Sequence, residues 1–218
     1  MPSTPTNDAH ERQRQEMVRL QLAGRGIHDV LVLNAMGLVP RHEFAPASVR
    51  QAAYEDRPLP IGEGQTISQP YMVALMLEHL VLRRTDRVLE VGTGLGYVTA
   101  LLSTLCGEIY SVERLAELAV TAQETLQRLH YLNVKIKVGD GRMGWIEHAP
   151  FDAILVSAAT PEIPPDLFAQ LREGGRMVLP VGPSSGQDLQ LVRKIGGRSE
   201  VRVFDHCRFV PLVEGRAG

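Results

Sequence analysis

The sequence predicts an α/β fold, a doubly wound and mostly parallel sheet with helices on both faces. Three observations carry that expectation. From Asp86 onward, short runs rich in β-branched residues alternate with helical patterns. Each run is apolar at nearly every position, as strands buried on both faces are. The first run ends in a glycine-punctuated turn, Gly92-Thr-Gly-Leu-Gly96, that opens the next helix; strand, glycine turn and helix together mark a ligand lying across the carboxyl end of a parallel strand. Finally, acids stand at or near the ends of the first three runs: Glu90, Glu113 and Asp140.

Taken in order, residues 1–8 hold two prolines among Ser, Thr and Asn, and are expected to form a disordered tail. A helix is predicted from about Asp8 to the stop at Gly24 and Gly26. A second runs from the N-cap Asp29 to Gly37, and a short third covers 47–53. Residues 54–70 read as a loop because of three prolines and two glycines. A strongly apolar helix follows from Pro70 to about Leu82. Strands are expected at 87–92, 108–113, 134–139, 151–157 and 175–181, with helical segments at 95–105, 115–131, 142–147 and 164–172. Two longer alternating runs, 188–195 and 201–213, are split by Gly196-Gly197 and read as a hairpin extending the sheet edge.

At 218 residues the chain is read as a single domain. Its parts are a helical cap and substrate loop at 9–82, an α/β core at 83–182 and a C-terminal hairpin at 183–218. The net charge of −2 gives no electrostatic reason to expect nucleic acid or an anionic membrane as partner. Two cysteines, Cys106 and Cys207, lie far apart and suit packing in a reducing compartment. The N-terminus is too polar for a secretory signal, and no apolar run reaches the roughly 18 residues needed to span a bilayer. A cytoplasmic location is expected. The seven histidines show no metal-ligand spacing, so no metal site is expected.

The turn residues Gly92, Thr93, Gly94 and Gly96 are the expected ligand cradle. Glu90 just before them would repel a pyrophosphate; it suits a cationic ligand without phosphate, and S-adenosylmethionine fits that description. Glu113, about twenty residues on, can accept hydrogen bonds from both hydroxyls of a ribose. Asp140 can reach an adenine amino group, and Gly141 lets a flat ring approach the backbone. The fourth strand ends in small residues, Ser157-Ala-Ala159, which leave room at the mouth of the crevice.

Further segments carry a resemblance. Gly64-Gln-Thr-Ile-Ser-Gln-Pro-Tyr-Met72, Val88 to Tyr97, Tyr110-Ser-Val-Glu113, Gly139-Asp-Gly141, Phe151 to Val156, Gly174 to Gly182 and Arg208-Phe-Val-Pro-Leu212 occur in the order seen in protein-L-isoaspartate O-methyltransferases. The chain resembles that family over about residues 15–213; Glu90 stands where many relatives carry Asp. The resemblance implies a class I S-adenosylmethionine-dependent methyltransferase fold. It also implies methyl transfer to the free α-carboxylate of L-isoaspartyl residues in damaged peptides and proteins, initiating repair through a succinimide and leaving S-adenosylhomocysteine. A carboxylate with a pKa near 4 is ionised at neutral pH and needs no general base; the protein has only to desolvate and aim it.

On that reading Ser68 is the catalytic candidate, aided by the N-terminus of the helix beginning at Pro70, with Thr66 and Ile67 beside it. Ser68 also reads as a helix N-cap. Val210 and Pro211 form the other wall, where an interrupted edge strand can offer main-chain groups to a peptide. A monomer is expected. Three alternatives stay open: a related O-methyltransferase dedicated to one ribosomal peptide, an NAD-dependent oxidoreductase, and a non-catalytic binding protein. The second is disfavoured because the third glycine comes one residue early.

Overall fold

The computed structural model describes residues 5–215. Seven strands form the central sheet: β3 (Arg87–Val91), β4 (Glu108–Glu113), β5 (Val134–Val138), β6 (Phe151–Val156), β7 (Leu171–Val181), β8 (Gln187–Ile195) and β9 (Arg198–Cys207). Two short ones, β1 (Leu59–Gly62) and β2 (Gln65–Ile67), pair apart from it. The main sheet runs β5-β4-β3-β6-β7-β8-β9. Pairing is parallel from β5 through β7 and antiparallel from β7 through β9. The chain steps outward from β3 to β5, then crosses back to lay β6 beside β3. That reversal opens a crevice at the carboxyl ends of β3 and β6, where ligands of such sheets bind.

Alternation along the strands supplies both cores. Val88, Ala153 and Leu155 face one side, joined by Met17, Leu22, Met36, Leu77 and Leu80 from the N-terminal helices. Leu89, Val91, Tyr110, Val112, Ile154 and Val156 face the other. The helices are α1 (Pro5–Glu16), α2 (Val30–Leu38), α3 (Pro70–Leu80), α4 (Tyr97–Leu105), α5 (Ala116–Arg128) and α6 (Pro165–Ala169). Asp29 caps α2 as expected, its Oδ1 accepting from the Leu31 amide at 2.8 Å and that of Val32 at 3.2 Å. In α5, Leu118, Ala122 and Leu126 repeat at four-residue spacing and are buried. Buried Arg176 ties α3 to the sheet: it donates to the Val81 carbonyl at 2.7 Å and to Asp86 at 2.5 Å.

Several boundaries differ from expectation. Residues 1–4 of the expected tail lie outside the described residues, and the chain is already helical from Pro5; proline is tolerated in the first turn of a helix. The helix then widens into a π-helical segment at Met17–Leu22 and a 3-10 turn at Ala23–Arg25. The helix expected at 47–53 is only a 3-10 turn, Arg50–Ala52. The one at 142–147 is two such turns, Gly141–Met143 and Ile146–His148.

The expected loop at 54–70 contains the β1–β2 hairpin. Glu63 and Gly64 take positive φ at its tip, the backbone a tight two-residue hairpin needs. Prolines masked its alternation, although Leu59 and Ile61 are buried and Pro60 and Gly62 exposed. At the other end, β9 stops at Cys207 rather than continuing to 213, because Cys207 lies opposite Gln187, where β8 begins, and the chain then turns to bond Ala159.

Candidate active site

One cavity of about 410 Å³ opens at the carboxyl ends of β3, β4 and β6, within the size range of small-molecule sites. Gly92, Thr93 and Gly94 form its floor, Glu113 and Arg114 one wall, and Ser157 and Ala158 the back. Thr66, Ile67 and Ser68 face it from β2 and the start of α3, while Phe209, Val210 and Pro211 close the remaining side. The two halves of the expected site therefore meet in one space. Ile61, Gln65, Tyr97 and Cys207 also line it. Sequence reading missed these because only tertiary packing brings them to the crevice.

The floor is held by a clasp. Glu113 is 6% exposed; its Oε2 accepts the Gly94 amide at 2.8 Å and its Oε1 the Leu115 amide at 3.0 Å. A carboxylate has about four acceptor positions, so capacity remains for hydroxyls of a ligand.

Glu90 lies under the floor, fully buried and outside the cavity lining. Ser111 and Thr99 each donate to its Oε2 at 2.6 Å, and Thr93 bonds Ser111 at 2.6 Å. Burial pushes its pKa up to about 7 against those two hydrogen bonds, and the nearby Glu113 charge adds to the rise. Its Oε1 is buried without a hydrogen-bond partner. A cation above the floor would favour the ionised form. The turn carries no basic side chain, so this donor and acceptor set fits the sulfonium and amino group of S-adenosylmethionine and opposes a phosphate.

Three residues expected at the ligand stand behind the wall. Besides Glu90 these are Gly96 and Asp140. Gly96 has φ of 93°, and a Cβ there would come within 3.3 Å of Ala122 and Leu126; it sets helix packing. Asp140 accepts from the Arg142 amide at 2.9 Å and the Gly215 amide at 2.8 Å. Burial raises its pKa, but the Gly215 and Arg142 hydrogen bonds outweigh that and hold it low. Its neighbour Gly141 does line the cavity, and a Cβ there would sit 2.5 Å from Val91 Cγ1.

On the opposite side, Ser68 does not cap α3. The cap position is Gln69, and Asp56 takes the helix end instead. Its Oδ1 accepts the Tyr71 amide at 3.1 Å and its Oδ2 the Gln69 side chain at 2.8 Å. The expected contribution of that helix terminus to holding a carboxylate is thus partly filled by the chain's own acid. The Ser68 hydroxyl, in contrast, makes no hydrogen bond among the described residues and faces the cavity.

The 208–212 segment is stitched rather than left as an open edge. Ala159 donates to the Val210 carbonyl at 2.8 Å and accepts the Leu212 amide at 2.7 Å. The main-chain groups left for a peptide are fewer than an open edge would offer. Among the described residues no group of His, Cys, Asp and Glu could hold a metal ion. No helix there is long and apolar enough to cross a membrane.

Comparison with known proteins agrees with this geometry. Residues 12–217 match the family described as protein-L-isoaspartate(D-aspartate) O-methyltransferase. A protein-L-isoaspartate O-methyltransferase of Methanoculleus marisnigri is 53% identical over 206 residues, covering 94% of each chain. One from Koribacter versatilis is 51% identical over 213 residues, covering 98% of this chain and 96% of its own. Among solved structures, a Plasmodium falciparum protein described as such a methyltransferase, in complex with S-adenosyl-L-homocysteine, superposes with a TM-score of 0.80. It is 29% identical, covering 92% of this chain and 98% of the other.

Proposed function

The chain belongs to the protein-L-isoaspartate(D-aspartate) O-methyltransferase family, and from that premise we propose that it methylates the free α-carboxylate of L-isoaspartyl residues in damaged proteins. It is an S-adenosylmethionine-dependent enzyme of protein repair. One observation carries the finer reading: the glycine turn with Glu113 and the Thr66–Ser68 segment wall a single cavity. Donor and acceptor subsites thus adjoin.

Bound there, S-adenosylmethionine supplies a sulfonium-activated methyl group, and its transfer leaves S-adenosylhomocysteine and a neutral methyl ester. Gly92, Thr93, Gly94, Glu113 and Gly141 hold the donor directly. Glu90, Gly96 and Asp140 act from behind: Glu90 through its charge, the other two by fixing the shape of the wall. Ser68 donates its free hydroxyl to one carboxylate oxygen and leaves the other to react. Thr66, Ile67, Val210 and Pro211 flank the peptide and exclude water. An ionised carboxylate needs no proton removed.

Residues of the cap, the core and the hairpin line this cavity together, which supports one undivided domain. Two free thiols, Cys106 and Cys207, suit a cytoplasmic location. The deciding experiment compares methyl transfer to an isoaspartyl peptide and to its aspartyl twin. Labelling of the first alone is expected; equal labelling, or none, overturns the assignment.

A further inference from the structure

Arg41 heads the fully buried side chains by volume, at 0% exposure. Charges that deep are normally paired, as Arg176 is with Asp86. Arg41 has no ion pair among the described residues. Its Nε donates to the Ala53 carbonyl at 2.7 Å and its Nη2 to the Ser68 carbonyl at 2.9 Å. The guanidinium carbon stands 4.7 Å from the centroid of the Tyr97 ring. Its Nη1 is buried with no partner.

Both Ser68 and Tyr97 line the cavity, so a permanent cation sits directly behind the acceptor wall. Because Arg41 is fully buried, its field is screened less on its way to the cavity than that of a surface charge.

We infer that Arg41 is a positioning and specificity-determining residue: it holds the Ser68 segment by its carbonyl and provides the counter-charge by which the acceptor subsite selects a carboxylate. The inference rests on the acceptor being an isoaspartyl α-carboxylate. It also accounts for a cost that the fold offsets only in part, since the Asp56 carboxylate acts on Arg41 from beyond ion-pair distance and the anionic acceptor adds a further counter-charge. Methylation neutralises the acceptor and removes the attraction, so the same residue that draws the substrate in does not retain the ester. Because negative charge is already falling in the transition state, Arg41 favours the bound acid more than the transition state.

The test uses an isoaspartyl peptide as substrate and its α-carboxamide analogue as competitive inhibitor, with wild type, R41K and R41Q. Wild type is expected to bind the acid at least about tenfold more tightly than the amide, and R41K, which keeps the charge but not the forked donors, to keep part of that ratio. In R41Q the ratio collapses towards one. Its KM for the peptide rises about 10–100-fold, more than kcat falls through the loosened Ser68 segment, and its affinity for S-adenosylhomocysteine is retained. A purely structural role would weaken acid and amide alike.

An R41Q ratio equal to wild type overturns the inference. If R41Q does not fold, the wild-type ratio decides, and a value near one overturns the inference equally. Absence of methyl transfer by wild type overturns the functional reading and this inference together; transfer with an unchanged ratio overturns this inference alone.

Discussion

Glu113 accepts the Gly94 amide at 2.8 Å, so the acid ending one parallel strand clasps the glycine turn that follows its neighbour. The contact pre-shapes the floor and leaves acceptor capacity facing the cavity. Substituting E113A removes both. Affinity for S-adenosylhomocysteine should fall about 10–100-fold, the scale of hydrogen bonds to a charged group, as read by calorimetric titration. An unchanged dissociation constant would remove Glu113 from the donor site.

Ser68 offers a hydroxyl with no internal partner. S68A should lower kcat about 10–100-fold, as losing the group that orients the reacting carboxylate does. Binding of S-adenosylhomocysteine should stay as in wild type, because Ser68 lies on the acceptor side. Full turnover in the variant would exclude the proposed role.

Glu90 makes the apoprotein's stability fall as pH rises. Its folded pKa, about 7, lies above the ordinary 4.5, so the native state holds the proton more tightly than the unfolded chain. That contribution is complete below pH 4.5 and is lost as pH climbs through about 7. E90Q removes the dependence. In urea unfolding, wild type should lose on the order of 3 kcal/mol relative to E90Q between pH 4.5 and 8. A constant difference across that range would contradict the assignment.

His42 acts in the opposite direction. Burial, and then the adjacent His10, lower its pKa to about 4. It bonds the Tyr54 hydroxyl at 2.7 Å and stacks on His10 of α1 with ring centroids 4.1 Å apart. The unfolded chain takes up the proton first, so this stability is intact above pH 6.5 and declines as pH falls towards 4. Hydrogen exchange should find α1 losing protection over that window, and H42F should flatten the response. Equal acid sensitivity in both proteins would dissociate His42 from the docking of α1.

Gly96 tests packing apart from binding. G96A forces a side chain into φ of 93° against Ala122 and Leu126. It should cost about 1–2 kcal/mol, seen as a lower melting temperature. Below that temperature the affinity for S-adenosylhomocysteine should be near normal, since Gly96 does not line the cavity. A large loss of affinity in well-folded G96A would place it at the ligand.

The parallel strands were legible because burial on both faces leaves continuous apolar runs, and the glycine turn because its backbone needs leave few substitutes. The positions of Glu90, Glu113 and Asp140 along their strands were equally plain. Their surroundings were not. Only folding brings Ser111 and Thr99 onto Glu90, Gly215 onto Asp140, and the Gly94 amide onto Glu113. The hairpin at 59–67 was hidden by residues that usually break strands. Asp56 at the start of α3 could not be read because its partners lie 13 and 15 residues away, beyond the range of any local capping pattern. Arg41 looks in sequence like an ordinary surface cation, and nothing local announces that Ala53, Ser68 and Tyr97 enclose it.

The two hydrogen bonds between Ala159 and the 208–212 segment give the site a direction in time. The glycine turn and Glu113 are made before Val210 and Pro211, with the whole of β5 to β9 between them. A chain still being synthesised can build the donor half long before its final wall exists. Competence to act on a damaged partner thus waits for residues 208–212, and a chain cut short before Arg208 would lack that wall of the cavity.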